Sequence, residues 1–286
     1  MTASDFIPYG RQEVGDDDIA AVVEVLRSDW LTMGPAVDRF EQAFAQLVSA
    51  EHAVAVANGT AALHLAMLAA GVEAGHEVIV PTMTFAASAN AARYVGADVR
   101  FCDVRPDTLS IDVEHAAALV TPRTRAIVVV DYAGIPCDLD EVLMLADQHG
   151  LTVIEDACHA VGATYRGRPV GSIAHLSTFS FHPVKHLTTG EGGMVTTTDP
   201  HLDRRLRRLR NHGIDTDFRQ RESASTWEYD VVELGFNYRL SDINAALGAS
   251  QIAKVSGWVG RRRAIAARYR SLLSDAPVTT LTEPDH

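Results

Sequence analysis

The sequence predicts an α/β fold, a mainly parallel sheet with helices on both faces. Two observations carry that prediction. The chain has 286 residues, 47% hydrophobic and 22% charged, enough apolar material for a substantial core. Within it, short apolar runs alternate with segments of helical spacing, and strand, helix, strand at that rhythm implies parallel pairing through helical crossovers. Such sheets take ligands at the carboxyl ends of their strands.

The elements follow in order. Asp16 to Ser28 carries Ile19, Val22, Val23 and Leu26 at helical spacing, and Ala36 to Ser49 puts Val37, Phe40, Phe44 and Leu47 on one face. HAVAVA reads as a strand followed by a helix from Thr60 to Ala70. EVIVP is followed by a helix over Ala86 to Tyr94. DVRFCDV, AIVVVDYAG, a helix over Leu139 to His149, LTVIEDA and STFSF continue the pattern. MVTTTD is a further strand. LDRRLRRLRNHG reads as an Arg-rich helix ending at Gly213, most simply facing solvent or another subunit, with a diphosphate pocket as the alternative. DTDFRQRESASTWEYD has few core positions and reads as a loop. Helices over Ser241 to Ile252 and Val259 to Leu273 follow, then a polar tail.

Charge and composition exclude several functions. The net charge, 25 − 37 = −12, speaks against a broad nucleic-acid-binding surface. Cys102, Cys137 and Cys158 are far apart, without the Cys/His spacing of a zinc site or a disulfide framework. No metal site is expected. The opening MTASDFIPYGRQEV lacks a basic segment followed by an apolar one, and AVAVANGTAALHLAMLAAGV is interrupted by Asn58, Gly59 and His64. Neither a secretory signal nor a membrane span is expected, and the chain reads as cytoplasmic.

Four segments meet where strand ends should converge. In VANGTAALHLAML, Asn58 is an N-cap, and Gly59, Thr60 and Ala61 open a helix whose free N–H groups suit an anion, although capped helices without ligands look the same. PTMTFAAS sets Phe85 just after a strand. In VIEDACHAVG, period-two alternation sends Glu155 and Asp156 to opposite faces, so only one carboxylate can serve a given ligand; an ion pair would explain it equally. FSFHPVKHLTTGEGG holds Ser180 and Lys185. Lys185 and Lys254 are the only lysines in an arginine-using chain, and arginine cannot become a neutral amine near neutral pH. An anion cradle, an aromatic plate, a carboxylate and an amine are together what pyridoxal 5′-phosphate (PLP) demands. No GxGxxG after a strand, GxxxxGK[ST] or GxSxG is present.

NGTAAL, PTMTFAASANA, EDACHAVG, SFHPVKHLTTGEGG and GFNYRLSDINAALG, in that order, resemble the DegT/DnrJ/EryC1/StrS family of sugar-nucleotide aminotransferases over about Ile7 to Tyr269. The resemblance implies PLP-dependent transferase fold type I with a seven-stranded sheet. It makes Lys185 the Schiff-base lysine and Asp156 the partner of the pyridine nitrogen. Phe85 stacks on the ring and His159 lies close to it. Phosphate contacts come from Gly59, Thr60, Ala61 and Ser180. Asn237 reaches the cofactor of the partner subunit in a homodimer. His64, His182 and His186 are assigned no catalytic role.

IPYGRQEVGDDDIAAVVEVLRSDWLTMGP, VVVDYAGIPCD and RNHGI look most like the aminotransferases of pseudaminic acid biosynthesis, and Asp131, where many relatives carry histidine, supports that subgroup. The resemblance then implies amino transfer from L-glutamate to C4 of a UDP-linked 4-keto-6-deoxy sugar, with PLP and its amine form PMP alternating. Alternatives are another nucleotide keto-sugar, a dehydratase (disfavoured, since that branch has histidine in place of Lys185) and a non-catalytic PLP-binding fragment. Residues 1–255 are expected to form the large cofactor domain. Residues 256–286 are expected to begin a small C-terminal domain that is cut short, leaving an apolar face exposed.

Overall fold

Strands β2 (Glu77–Pro81), β4 (Thr124–Val130) and β5 (Thr152–Asp156) are apolar on both sides because helices cover both faces of their sheet. In the computed structural model, which describes residues 10–216, 221, 223 and 225–284, these strands are central in a seven-stranded sheet. Its order is β1 (His52–Val56), β9 (Gly193–Thr197), β8 (Leu176–Ser180), β5, β4, β2 and β3 (Asp98–Cys102). Only β9 runs against the rest, antiparallel to both β1 and β8, while the other pairs are parallel.

One face carries α3 (Gly59–Ala69), α4 (Ala86–Tyr94) and α7 (Pro200–Leu209), packed over Val54, Val56, Val78, Val80, Val128 and Ile154. The first, GTAALHLAMLA, is buried nearly all round, which is why its apolar residues show no single stripe. The other face divides in two. Helix α6 (Leu139–His149) covers Ile127, Val129 and Val153, joined by Ala116 of α5 (Val113–Leu119). Helices α2 (Pro35–Val48) and α8 (Asp242–Ile252) cover Ala53, Ala55 and Phe179. Phe40, Phe44, Phe179 and Phe181 meet edge-on there, with centroids 4.9–6.3 Å apart. Helix α1 (Asp16–Leu26) docks on α8 through residues distant in sequence. Ser250 donates to Asp18 at 2.6 Å, and Lys254 pairs with Asp17 and Asp18 at 2.7 and 2.9 Å.

Several elements differ from the sequence expectation. A short hairpin, β6 (Thr164–Tyr165) and β7 (Arg168–Pro169), and helix α5 are additional. DYAG, read as the continuation of a strand, is a 3-10 turn over Tyr132–Gly134. The Arg-rich helix stops at Leu209 rather than Gly213 because the next residues pair with GFNYR. Phe236 N–H donates to Leu209 O, Tyr238 N–H to Arg210 O, and Asn211 bridges Asn237. Gly213 adopts φ +73° against the backbone of Glu233, where any side chain would collide. Residues 217–220, 222 and 224 of the polar stretch read as a loop, and 1–9 and 285–286, lie outside the described residues. The last helix, α9 (Val255–Leu272), begins earlier than expected. Val255 is its one buried residue, and Ile265, Tyr269 and Leu272 are exposed.

Arg205, Arg207 and Arg208 of α7 and Arg210 at its end are partly exposed structural clamps. Arg207 pairs with Glu41 of α2 at 2.7 Å and Arg210 pairs with the same carboxylate, while Arg205 and Arg208 pair with Glu233. Glu41 also accepts the Ala55 N–H at 2.9 Å. Burial alone would raise its pKa, but Arg210 and Arg207 hold it below the ordinary value. Glu41→Ala strands two partly buried guanidinium groups and an N–H. It should cost about 3 kcal/mol in urea denaturation, near the lower end for breaking a buried pair because Arg207 keeps some solvent.

Candidate active site

Alternation along β5 decides which carboxylate faces the site. Ile154 and Asp156 point to the α3–α4 face, Val153 and Glu155 to the other. Asp156, 6% exposed, accepts Ser88 Oγ–H at 2.7 Å on Oδ2 and the Cys158 N–H at 3.3 Å on Oδ1. Ser88 is itself buried in the first turn of α4 and shares a hydrogen bond with Thr84 at 2.8 Å. A buried carboxylate with two donors and room for another acceptor contact suits an N–H from a ligand.

On the opposite face Glu155 meets Asp131, which follows β4, and both are fully buried. Ser177 of β8 donates to Glu155 Oε2 at 2.5 Å and Cys137 N–H to Asp131 Oδ1 at 3.3 Å. Asp131 Oδ2 and Glu155 Oε1 are buried without a hydrogen-bond partner, an arrangement that a proton on one of them would relieve. Burial, then the charge of Glu155, pushes Asp131 well above the ordinary carboxylate pKa. Asp131 therefore faces Glu155, on the side of the sheet away from Ser88 and Asp156.

The amino end of α3 lies at the same sheet edge. Asn58 Oδ1 accepts the Ala61 N–H at 2.8 Å, leaving the N–H groups of Gly59 and Thr60 without a helical acceptor. Of the expected trio, Ala61 thus has its N–H already engaged. A Cβ on Gly59 would lie 2.9 Å from Ser180 Cβ, and one on Gly193 would lie 2.4 Å from Asn58 O. Glycine at both positions lets the helix end, Ser180 and β9 crowd together, bringing three sequence-distant segments to one point.

Lys185 sits in the loop after β8, its N–H donating to His182 O at 2.9 Å. No described carboxylate pairs with it, whereas Lys254 is held by Asp17 and Asp18. The charge of Lys185 reaches Cys158 and His159. Burial, and then Lys185, lower the His159 pKa against the opposing pull of Asp156, so His159 lies within the fields of both. The His159 ring meets Tyr132 edge-on at 6.3 Å. Phe85, the N-cap of α4, is 76% exposed at the end of β2, so it is not a core aromatic. Asn237 is exposed and bridges Asn211 beside α7, in the strip whose Tyr238 O accepts the Ala57 N–H next to Asn58. His64 packs among Tyr94, Phe236 and Tyr238, as a core histidine does.

The chain and its fold resemble known proteins. Residues 12–286 match the DegT/DnrJ/EryC1/StrS aminotransferase family. The chain belongs to that family. Solved structures agree. A candidate sugar aminotransferase from Streptococcus pneumoniae, in its PMP form, superposes with a TM-score of 0.88 at 32% identity, over 94% of this chain and 72% of that one. Helicobacter pylori PseC, an aminotransferase involved in the biosynthesis of pseudoaminic acid, gives 0.87 at 34%, over 94% and 71%. An aminotransferase from Psychrobacter cryohalolentis gives 0.88 at 38%, over 94% and 69%. The S. pneumoniae protein is also known in a PLP form. The chain is accordingly a PLP-dependent aminotransferase of fold type I, of a family of sugar aminotransferases.

The residues present fit that cofactor: a crowded glycine-lined helix end for a phosphate, a buried carboxylate, and a lysine with no ion-pair partner among the described residues. The sequence reading missed Ser88, whose only signal was a small polar residue inside a buried helical turn. It also missed the Asp131–Glu155 contact, which joins separate strands. The larger cleft, about 540 Å³ between α2, β1 and Arg207, contains none of these site residues.

Two outcomes are expected. Ser88→Ala removes a donor to a buried carboxylate and should weaken PLP binding about tenfold, measured by cofactor titration, and should cost the cofactor-free protein about 1–3 kcal/mol in urea denaturation. For Asp131, the folded pKa lies above the unfolded value, so the native state binds the extra proton. Its stabilisation is complete below about pH 4 and is lost as pH rises through the raised folded value. Asp131→Asn keeps a donor toward Glu155 and removes that slope. Urea denaturation between about pH 5 and 8 should show wild type losing stability relative to the variant.

Proposed function

We propose that the aminotransferase moves an amino group from L-glutamate to C4 of a UDP-linked 4-keto-6-deoxy-N-acetyl hexose, the reaction of UDP-4-amino-4,6-dideoxy-N-acetyl-β-L-altrosamine transaminase in pseudaminic acid biosynthesis. The observation that carries the cofactor chemistry is the approach of Gly59 to Ser180 at the strand end beside Asp156. The sugar rests on the resemblance of its segments to that subgroup and on the likeness to PseC. The second reading is another nucleotide keto-sugar, favoured by the Psychrobacter aminotransferase being as similar, at 38% identity.

Bound PLP supplies an aldehyde and an electron-accepting ring. Lys185 Nζ would hold the cofactor and, as a neutral amine, would carry the proton of the reacting carbon. Asp156 accepts the ring N–H, oriented by Ser88 and the Cys158 N–H. Gly59 and Thr60 N–H groups and the Ser180 hydroxyl hold the phosphate, with Ala61 closing the turn. Phe85 offers its exposed ring as the stacking face, and His159 flanks the ring between Lys185 and Asp156. Asn237, exposed on its strip beside α7, reaches the second site of a homodimer. Residues 1–255 form the cofactor domain and 256–286 open a smaller one. None of the helices among the described residues is long and apolar enough to cross a membrane, and a cytoplasmic location fits a soluble donor and acceptor.

Borohydride reduction of PLP-loaded protein followed by peptide mapping should place the pyridoxyl group on Lys185, and Lys185→Ala should abolish it. Nitrogen-labelled glutamate should then deliver label to the UDP keto-sugar. A tag elsewhere defeats the cofactor assignment. Label passing only to another nucleotide sugar selects the second reading.

A further inference from the structure

Thr84 lies in the turn that leads from β2 into α4, one residue before Phe85, and is half-buried. The Thr82 N–H ties this turn to the neighbouring strand, donating to Cys102 O at 2.9 Å. In the first turn of α4, Ser88 Oγ stands 2.8 Å from Thr84 Oγ1 and 2.7 Å from Asp156 Oδ2. A continuous line thus runs from a half-buried hydroxyl through a buried one to the carboxylate.

The count of protons gives that line a direction. A hydroxyl carries one proton, and an ionised carboxylate can only accept. The Cys158 N–H serves Asp156 Oδ1, and among the described residues Ser88 is the donor to Oδ2, so the serine proton is spent there. The contact between the two hydroxyls is then made by the proton of Thr84. The opposite order, with Ser88 donating to Thr84, would strip Oδ2 of its donor in a buried site, at the desolvation cost of a charged group. A helical serine also has local competitors, the backbone carbonyls of the preceding turn. Held by Thr84 Oγ1, Ser88 Oγ keeps the orientation that reaches the acid. Threonine suits the task because its β-branch restricts χ1, so the hydroxyl gives up little freedom.

We propose that Thr84 is a positioning residue for the ring nitrogen of the cofactor: its hydroxyl donates to Ser88, and Ser88 sets the face that Asp156 presents to the ring N–H. The role deepens the cofactor reading above and rests on Asp156 accepting that N–H. Hydrogen bonds in series strengthen one another, by about 10–30% each, so Thr84 acts on Asp156 without touching it. Phe85 comes next in the chain, so one turn carries both the exposed ring and the first link of the line.

The test compares two ligands on the full chain: PLP, and 1-deazapyridoxal 5′-phosphate, which keeps the aldehyde and phosphate but has C–H in place of the ring nitrogen. In cofactor titrations wild type should bind PLP more tightly than the analogue. Thr84→Val keeps the shape and loses the hydroxyl. It should weaken PLP about threefold, less than the loss of Ser88 itself, because the bond to the acid remains and only its support is gone. Binding of the analogue should be unchanged in Thr84→Val, which also reports that the variant is folded. Thr84→Ser should restore wild-type affinity for PLP. Equal weakening of both ligands by Thr84→Val overturns the proposal, as does a Thr84→Ser protein as weak as the valine variant. Failure of the underlying reading looks different: wild type would hold PLP no more tightly than the analogue, and the role of Thr84 would fall with it. A wild-type preference for PLP that Thr84→Val retains in full defeats Thr84 alone.

Discussion

A carboxylate taken out of water must be given donors, and the site is organised around that demand at Asp156. Its two oxygens are met by Ser88 and the Cys158 N–H, which ties the end of β5 to the first turn of α4. Helix α4 can begin there because Phe85 leaves the strand–helix turn with its ring outside the core. The geometry of the cofactor pocket is in this sense a by-product of satisfying one buried acid.

The same strand end carries a second acid facing the other way, and the two are handled by opposite means. Asp156 is surrounded by donors and stays available to a ligand. Glu155 is closed off by Ser177 and by Asp131, whose pKa burial and the charge of Glu155 push well above the ordinary value. Neighbouring carboxylates in one strand thus avoid mutual repulsion, because the pleat separates them and the rear pair is partly neutralised.

Much of the fold was legible because strand burial and helical spacing are local signals. The helix over Ala86 to Tyr94, that over Leu139 to His149 and the opposite facing of Glu155 and Asp156 follow from periodicity alone. What periodicity could not reveal depends on distant partners. The Arg-rich helix stops early because GFNYR takes over its backbone groups, and its arginines turn inward because Glu41 lies across from them. Residue chemistry made Lys185 and Asp156 visible. Ser88 stayed hidden because serine in a helix is ordinary until the acid it serves is seen in space.

The docking of α1 on α8 has a consequence for synthesis. Asp17 and Asp18 meet Ser250 and Lys254 across more than 230 residues of sequence. At about 5–20 residues per second, α1 waits on the order of ten to fifty seconds after emerging from the ribosome for the helix that receives it. Throughout that interval its apolar stripe is bare, a natural handhold for a chaperone.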